Sequence, residues 1–265
     1  NAISKLVAER LAVGDSKGAH KIFKIAFITF ALIGLTGSIL LFLGSKTIAN
    51  NWIEIPEAEY SLIALSPSIF FVSIISVIRG YFNGRQNFQV TAKSQSVEQI
   101  FKTVFTIVLV EFVVLIGKNN TTIMAGAANL ATTVATVLSF IYIYLYYKSK
   151  KREIGQEILQ TVNYTPTRIR KTIKTIVTVA MPISISSLIA SFNKNIDSFT
   201  IVRFLKRITT EEQAKIQYGI LSGKIDSLCS LPFSLNVAFV TAMVPSISKS
   251  MARKNIKDVR KKFLF

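Results

Sequence analysis

The sequence predicts an all-α protein, a polytopic transmembrane helical bundle. Of its 265 residues 50% are hydrophobic and only 17% are charged, whereas soluble domains usually carry about 25% charged residues. The apolar residues form long runs, and a helix needs roughly 20 of them to cross a bilayer. These runs lack the alternating polarity of membrane β-barrel strands. The three observations together place the chain in a membrane as a set of helices.

Six apolar spans follow one another along the chain, separated by polar connections. Their approximate bounds are 22–44, 61–82, 98–117, 122–147, 171–205 and 218–248. Each is long enough to cross the hydrocarbon core as a helix. Residues 1–13 are interpreted as the last turns of a further helix that leaves the membrane. We therefore expect the chain to be truncated, a fragment of a longer protein.

Lys and Arg residues differ sharply between alternate connections. One set of connections holds 22 of them and the other holds 5. The rich set comprises 1–21, 79–97, 148–174 and 249–262, and the poor set comprises 45–60, 117–121 and 206–218. Cytoplasmic connections are enriched in Lys and Arg, so the rich set is assigned to the cytoplasm. The net charge of +18 is therefore attributed to the orientation of the chain in a membrane. The basic residues do not follow the spaced aromatic and basic pattern of a nucleic-acid groove.

A short internal repeat predicts two lobes. Ile3, Ser4, Lys5 and Ala8 recur at one constant offset as Ile247, Ser248, Lys249 and Ala252. Six spans separate the two copies, and an even number restores the orientation of the chain. Both copies therefore end an outward-to-inward helix at the cytoplasmic face, as a parallel repeat about the membrane normal requires.

The connection 148–170 is the longest and most polar, and it divides the chain where the first repeat ends. We assign 1–147 to a first lobe, 148–170 to a cytoplasmic linker and 171–265 to the start of a second lobe. The basic run Lys148–Arg152 is interpreted as an anchor that favours anionic lipid. Binding of a partner is the alternative for this run.

Polar side chains deep within the last two spans are the candidate functional residues, because charge is unfavourable in lipid and commonly marks function. They are Asn193, Lys194, Asp197, Lys224 and Asp226. At about 1.5 Å per residue, Asp197 and Lys224 both lie roughly 9–12 Å below the outer surface. One interpretation is a structural ion pair between Lys224 and Asp197. The other is that the cluster faces a cavity.

Catalytic chemistry is not indicated. The single histidine, His20, is predicted in a cytoplasmic loop, and the single cysteine, Cys229, lies within an apolar run. No His/Cys metal spacing, Ser-His-Asp arrangement or Gly-rich phosphate loop can be built from the sequence. We expect neither an enzyme nor a bound cofactor.

Two regions resemble a known family. One is Arg79–Asn87, RGYFNGRQN, with the following Gln95–Gln99, QSVEQ; the other is Tyr218–Lys224, YGILSGK, leading to Val244–Ser248, VPSIS. They resemble the stage V sporulation protein B group of polysaccharide-biosynthesis membrane proteins. That group belongs to the superfamily of multidrug, oligosaccharidyl-lipid and polysaccharide exporters, which includes the lipid II flippases. The resemblance implies a two-lobed exporter or flippase fold of about fourteen helices, of which the chain holds the end of helix 2 through helix 8.

The resemblance also implies a function. It suggests a transporter that moves a lipid-linked oligosaccharide or cell-wall precursor across the bacterial cytoplasmic membrane by alternating access. Membrane lipids and a coupling ion, proton or sodium, are the other expected partners. A cation-coupled multidrug antiporter and a non-transporting scaffold for cell-wall or spore synthesis are the alternatives.

Site roles follow from the chemistry of such a substrate, because its pyrophosphate requires cations. Lys224 is the candidate for substrate phosphate, and Asp226 or Asp197 for the coupling ion. Arg79 either meets the pyrophosphate as it enters or holds the lipid interface. The lipid II flippases carry an arginine directly after the acidic residue, where this chain has Ser227. The role of that arginine is therefore not assigned to Ser227, although Lys224 lies close enough along the helix to replace the missing cation.

Overall fold

The computed structural model describes residues 2–52, 56, 58–116, 121–161, 164, 166–221, 225–253 and 256. These residues form eight α-helices and one π-helical turn. The helices are α1 (Ala2–Ala12), α2 (Ser16–Thr47), α3 (Ala58–Gly84), α4 (Phe88–Leu115), α5 (Thr121–Leu159), α6 (Ile169–Ile208), α7 (Glu211–Ile220) and α8 (Asp226–Ala252), and the π-helical turn Ile48–Trp52 extends α2. The predicted all-α bundle is confirmed.

In the part of the chain that the structure describes, five helices are long and apolar enough to cross a membrane. They are Ser16–Asn51, Ala58–Gly84, Thr122–Leu159, Ile169–Phe192 and Leu228–Ala252. The remaining predicted span coincides with α4, which has 28 residues but carries three charged residues in its apolar half: Glu98, Lys102 and Glu111. The span predicted at 218–248 begins in α7, which contains Tyr218, and includes most of α8, which begins at Asp226.

The helices α1–α4 and α5 as far as residue 147, which we call the first lobe, pack around an apolar core. In this core α2 and α5 pack on either side of α3, and α4 packs against α5. Phe23 of α2 lies at its cytoplasmic end, with ring centroids 4.5 Å from Tyr81 and 5.1 Å from Tyr147. His20 lies on α2 and contacts the same cluster. The prediction that His20 lies in a surface loop is therefore wrong, because α2 already begins at Ser16.

A tight turn joins α1 to α2. Asp15 is fully buried, and its carboxylate accepts hydrogen bonds from the backbone N–H of Gly18 (2.7 Å) and from Arg10 (3.0 Å). An aspartate at this position satisfies an otherwise unpaired N–H at the start of a helix. Gly14 supplies the positive φ of 79° that the turn needs. The turn fixes the short α1 against the first lobe.

The predicted linker begins as a helix. α5 continues out of its apolar part to Leu159, and Ile154 is buried on this extension. Arg85 holds this extension, because its Nη2 donates to both oxygens of the Glu157 carboxylate, Oε2 at 2.5 Å and Oε1 at 2.6 Å. Burial alone would lower the pKa of Arg85, but Tyr81 and Glu157 more than offset it, so the pKa is raised and the guanidinium stays charged. The start of the linker is therefore anchored to the first lobe.

Beyond α5, two hydrogen bonds hold the connection to α6 against the start of α2. The Lys17 backbone N–H donates to Thr161 Oγ1 at 3.2 Å, and Lys21 Nζ donates to the Thr167 carbonyl at 2.6 Å. Only residues 160–168 separate α5 from α6. The cytoplasmic connection is therefore short.

The contact between α1 and α3 depends on glycine. A Cβ at Gly84 would lie 2.7 Å from Val7 Cβ and 2.8 Å from the Ser4 carbonyl oxygen, and a Cβ at Gly80 would lie 3.1 Å from Ile3 Cβ. Only residues without a side chain allow the two backbones this close approach. The glycines of RGYFNG therefore seat α1 on α3.

We predict that Gly84→Ala lowers the free energy of unfolding by about 1–3 kcal/mol, because overpacking forces backbone shifts. Gly155→Ala on the α5 extension is the matched control, since its Cβ would meet nothing within 4 Å. A helical alanine there is expected to be neutral or to stabilise by about 0.5–1 kcal/mol. Thermal unfolding in detergent measures both variants. Equal midpoints would contradict the close contact.

Candidate functional site

The second-lobe helices α6 and α8 contact the first lobe at different places. α6 packs against α1 and α2, and α8 packs against α1 and α3. Over the residues that the structure describes, α6 and α8 do not pack along each other. The first lobe therefore supports each of them separately.

The contact of α8 with the first lobe is confined to its cytoplasmic end. There Pro245 is fully buried, and Ser248 and Ser250 are only 8% and 5% exposed. Residues 228–240, toward the outer side, are exposed throughout, as are residues 181–192 of α6. α8 thus contacts α1 and α3 at the end that the charge distribution assigns to the cytoplasm, and the outer halves of α6 and α8 are exposed.

Hydroxyl groups on these exposed helix surfaces bond to their own backbone. Ser187 and Ser191 of α6 donate to carbonyls four residues earlier at 3.0 Å. On α8, Ser234 donates to the Leu231 carbonyl at 2.7 Å. Such bonds satisfy polar groups where no water is present. They let helices with several serines lie in a membrane before any substrate is bound.

The structure describes one of the outer candidate residues fully. Asp226 is the first residue of α8 and is exposed. Its carboxylate lies at the helix N-terminus, where the helix dipole favours negative charge. Asn193, Lys194 and Asp197 belong to α6, after the exposed Phe192. The structure does not describe the side chains of these three residues, and it does not describe Lys224 at all. Their roles and the Lys224–Asp197 ion pair therefore stay predictions.

Arg79 lies in a different place, inside the first lobe. Its Nη2 contacts Glu98 Oε2 at 2.7 Å, Ser94 Oγ at 2.7 Å and Ser139 Oγ at 3.1 Å, and its Nε donates to Ser94 Oγ at 3.0 Å. Ser94 and Ser139 are fully buried, and their hydroxyls lie 3.2 Å apart. The side chain of Arg79 is 17% exposed.

This network joins α3, α4 and α5. An ion pair in a poorly solvated place needs further hydrogen bonds to offset the loss of water, and the two serines supply them. The contacts favour a role for Arg79 in fixing the three helices. Ser94 and Ser139 were not identified from the sequence; the polar character of Ser94–Glu98 at the start of an apolar span was the signal that could have indicated them.

Two of the larger grooves among the described residues lie away from the outer candidate residues. One of about 580 Å³ runs between α1 and the cytoplasmic half of α8, where Lys5 and Glu9 face Met243 and Met251. The other, about 640 Å³ and almost wholly apolar, lies between α3, α4 and α5 near Tyr60 and Phe112. Among the described residues, no group of His, Cys, Asp and Glu could hold a metal ion.

Comparison with known proteins shows the family to which the chain belongs. Residues 1–251 match the family described as polysaccharide biosynthesis protein. The chain belongs to that family. Family relatives from Bacillus subtilis (strain 168) include stage V sporulation protein B, 28% identical over 97% of the chain, and the lipid II flippase MurJ, 24% identical over 97%. The matches cover 49% and 48% of these proteins, so the chain spans about half of their length.

A solved structure shares the fold of this family member. It is a multidrug resistance MATE family transporter of the MOP superfamily in its outward-facing conformation, with a TM-score of 0.69 at 15% identity. The match covers 99% of the chain and 55% of the transporter. This likeness confirms the exporter-type fold. The family match, the bacterial relatives and the apolar helices confirm a location in the bacterial cell membrane, with several passes.

We predict that Glu98→Ala destabilises the protein by about 1–3 kcal/mol, because it removes the carboxylate that pairs with the partly buried Arg79 guanidinium. Thermal unfolding in detergent measures the effect. The double variant Arg79→Ala/Glu98→Ala should recover part of the loss, since no unpaired charge remains.

Glu153→Ala on the α5 extension is the matched control. Glu153 pairs with Lys150 at 2.7 Å on the exposed surface, where ion pairs contribute little. No change in the unfolding midpoint is expected. A Glu98→Ala variant as stable as this control would show that the network does not hold the helices.

Proposed function

We propose that the chain forms the first lobe and the start of the second lobe of a transporter. The transporter flips a lipid-linked oligosaccharide or cell-wall precursor across the cytoplasmic membrane by alternating access. One observation carries the proposal: α8 contacts the first lobe at the cytoplasmic end alone, while the outer halves of α6 and α8 are exposed. A lobed transporter closed to the cytoplasm and open to the outside has this arrangement.

The charges support this substrate class. A pyrophosphate-linked sugar needs cations and hydrogen-bonding groups in the membrane, while its lipid tail can remain in the bilayer. The outer part of α6 carries both kinds, because Lys194 and Asn193 belong to it. Asp226 at the start of α8 is an anion and is the candidate for a coupling ion instead. Charged groups at membrane depth are unfavourable unless they serve a cavity or a partner.

Roles are assigned as follows. Lys224 binds substrate phosphate, Lys194 and Asn193 bind phosphate or sugar, and Asp226 or Asp197 responds to a coupling proton or sodium ion. The flippase among the relatives supports a lipid-linked substrate. Arg79 contacts the pyrophosphate only if it leaves its present partners, so we give it the positioning role first.

A second candidate is a cation-coupled multidrug antiporter, which the multidrug transporter with the same fold favours. Such a protein requires a carboxylate-centred cavity and apolar contacts for drugs. Asp226 and the exposed apolar residues of α8 would then form the site, and Lys224 would be dispensable. The two candidates thus differ in whether transport depends on the lysine.

We predict that Lys224→Ala, Lys224→Gln and Asp226→Asn each reduce translocation of a fluorescent lipid-linked oligosaccharide by tenfold or more. The protein, expressed with its full native coding sequence, is reconstituted in proteoliposomes for this assay. The lysine variants lose the cation that pairs with phosphate, a hydrogen bond to a charged group that contributes about 1.5–3 kcal/mol. Lys150→Gln, on the exposed α5 extension, removes the same charge elsewhere and should leave translocation unchanged.

Other outcomes separate the alternatives. Normal rates for all three variants at normal expression would remove the assigned site. Drug efflux that needs Asp226 but not Lys224 would favour the antiporter. Absence of any translocation by the unmodified protein, together with defects in cell-wall synthesis in cells lacking it, would favour a scaffold.

A further inference from the structure

The two copies of the repeated Ile-Ser-Lys segment meet each other in the fold. The first copy lies on α1 and the second near the end of α8, and these helices pack together. Lys5 of the first copy and Ile247 and Ser248 of the second copy line one groove between these helices. Ile3 and Ser4 of the first copy are buried instead against Gly80 and Gly84 of α3. Both copies therefore lie where α8 meets the first lobe.

Two polar contacts close this interface at its cytoplasmic edge. Lys249 Nζ lies 3.3 Å from Gln86 Oε1, in the turn between α3 and α4. Arg253 Nε donates to the Ala12 carbonyl at 3.2 Å. That carbonyl belongs to the last turn of α1, where the helix dipole attracts a cation. Both contacts join the end of α8 to the first lobe.

Gln86 adopts a backbone conformation that is unusual for its side chain. Its φ is +61°, in the left-handed region, which glycine and asparagine occupy more readily than glutamine. The backbone bonds Gln86 N–H to Asn83 and Asn87 N–H to Phe82, both 2.9 Å, hold the turn. A strained residue held by its surroundings is a reason to look for a role. Here its side chain reaches Lys249.

The repeat is not symmetric in charge. At the constant offset of the two copies, Glu9 of α1 corresponds to Arg253 of α8. Glu9 lines the groove between α1 and α8, whereas Arg253 bonds to the end of α1. The second copy thus supplies basic contacts to the first lobe, and the first copy presents a carboxylate at the equivalent position.

We propose that the repeated Ile-Ser-Lys segments form a releasable cytoplasmic seal between the lobes, latched by Lys249 on Gln86 and by Arg253 on the end of α1. The proposal rests on the proposed alternating access, because a seal matters only if the lobes separate. Exposed polar contacts are individually weak, so the latch can open during a transport cycle. Ser248, Ser250 and Pro245 of α8 are buried while it is closed.

Crosslinking tests the seal without any substrate. Cys229 is the only cysteine, so Cys229→Ser gives a background for the pair Gln86→Cys and Lys249→Cys. A short bifunctional maleimide should join this pair in membranes. The control pair Gln86→Cys and Val237→Cys should not react, since Val237 lies about 18 Å further along α8 at 1.5 Å per residue. Equal crosslinking of both pairs, or of neither, would overturn the seal.

The latch itself is tested by Arg253→Ala in the crosslinking pair. We expect the rate of crosslinking to fall roughly two- to fivefold, the range that corresponds to a weak exposed contact, and Arg253→Lys to restore most of it. Arg207→Ala, at the exposed outer end of α6, is the matched control and should leave the rate unchanged. An unchanged rate in Arg253→Ala would show that Arg253 is no latch.

Gln86→Gly separates the side chain from the turn, because glycine accepts the positive φ but cannot reach Lys249. It should raise the unfolding midpoint or leave it unchanged. It should also slow the reaction of a bifunctional maleimide between Glu9→Cys and Met251→Cys, relative to the same pair with Gln86 intact; both positions line the groove between α1 and α8 and leave Lys249 in place. Specific crosslinking in a protein that translocates no substrate would support the seal and contradict the proposed function. Translocation without specific crosslinking would support the proposed function and contradict the seal.

Discussion

The bilayer constrains this protein most, because it offers no hydrogen bonds to polar groups. Arg79 shows the consequence: its guanidinium contacts Glu98, Ser94 and Ser139, and so α3, α4 and α5 must meet where these side chains meet. The serines of α6 and α8 satisfy their hydroxyls within their own helices instead. Those two helices are therefore free to stand apart from the first lobe along their outer halves.

The sequence was sufficient for the fold, because the length and apolar character of a span are local properties. It was less informative where a helix continues into polar sequence. Lys148–Arg152 has the composition of a loop, but α5 runs on to Leu159 since Ile154 packs against the first lobe and Glu157 binds Arg85. His20 was misplaced for the same reason, as α2 begins within the polar turn.

The candidate site was only partly predictable. The sequence gives the depth of a charged residue along its helix, but not which neighbouring helix its side chain faces. Depth identified Asp226, and the family resemblance added Arg79, yet the partners of Arg79 include Ser139, which is 60 residues away. The pairing of such residues depends on the rotation of three helices about their axes. That rotation is set by packing along their whole length.

The meeting of two copies of one repeated segment has an evolutionary consequence. An interface between equivalent surfaces about a twofold axis is isologous, the type found in homodimers. An ancestral half-protein could have formed the same contact with a second copy of itself, and identical residues would then have occupied both sides. Once both halves belong to one chain, the positions diverge independently. Glu9 and Arg253 record that divergence, with opposite charges at equivalent places.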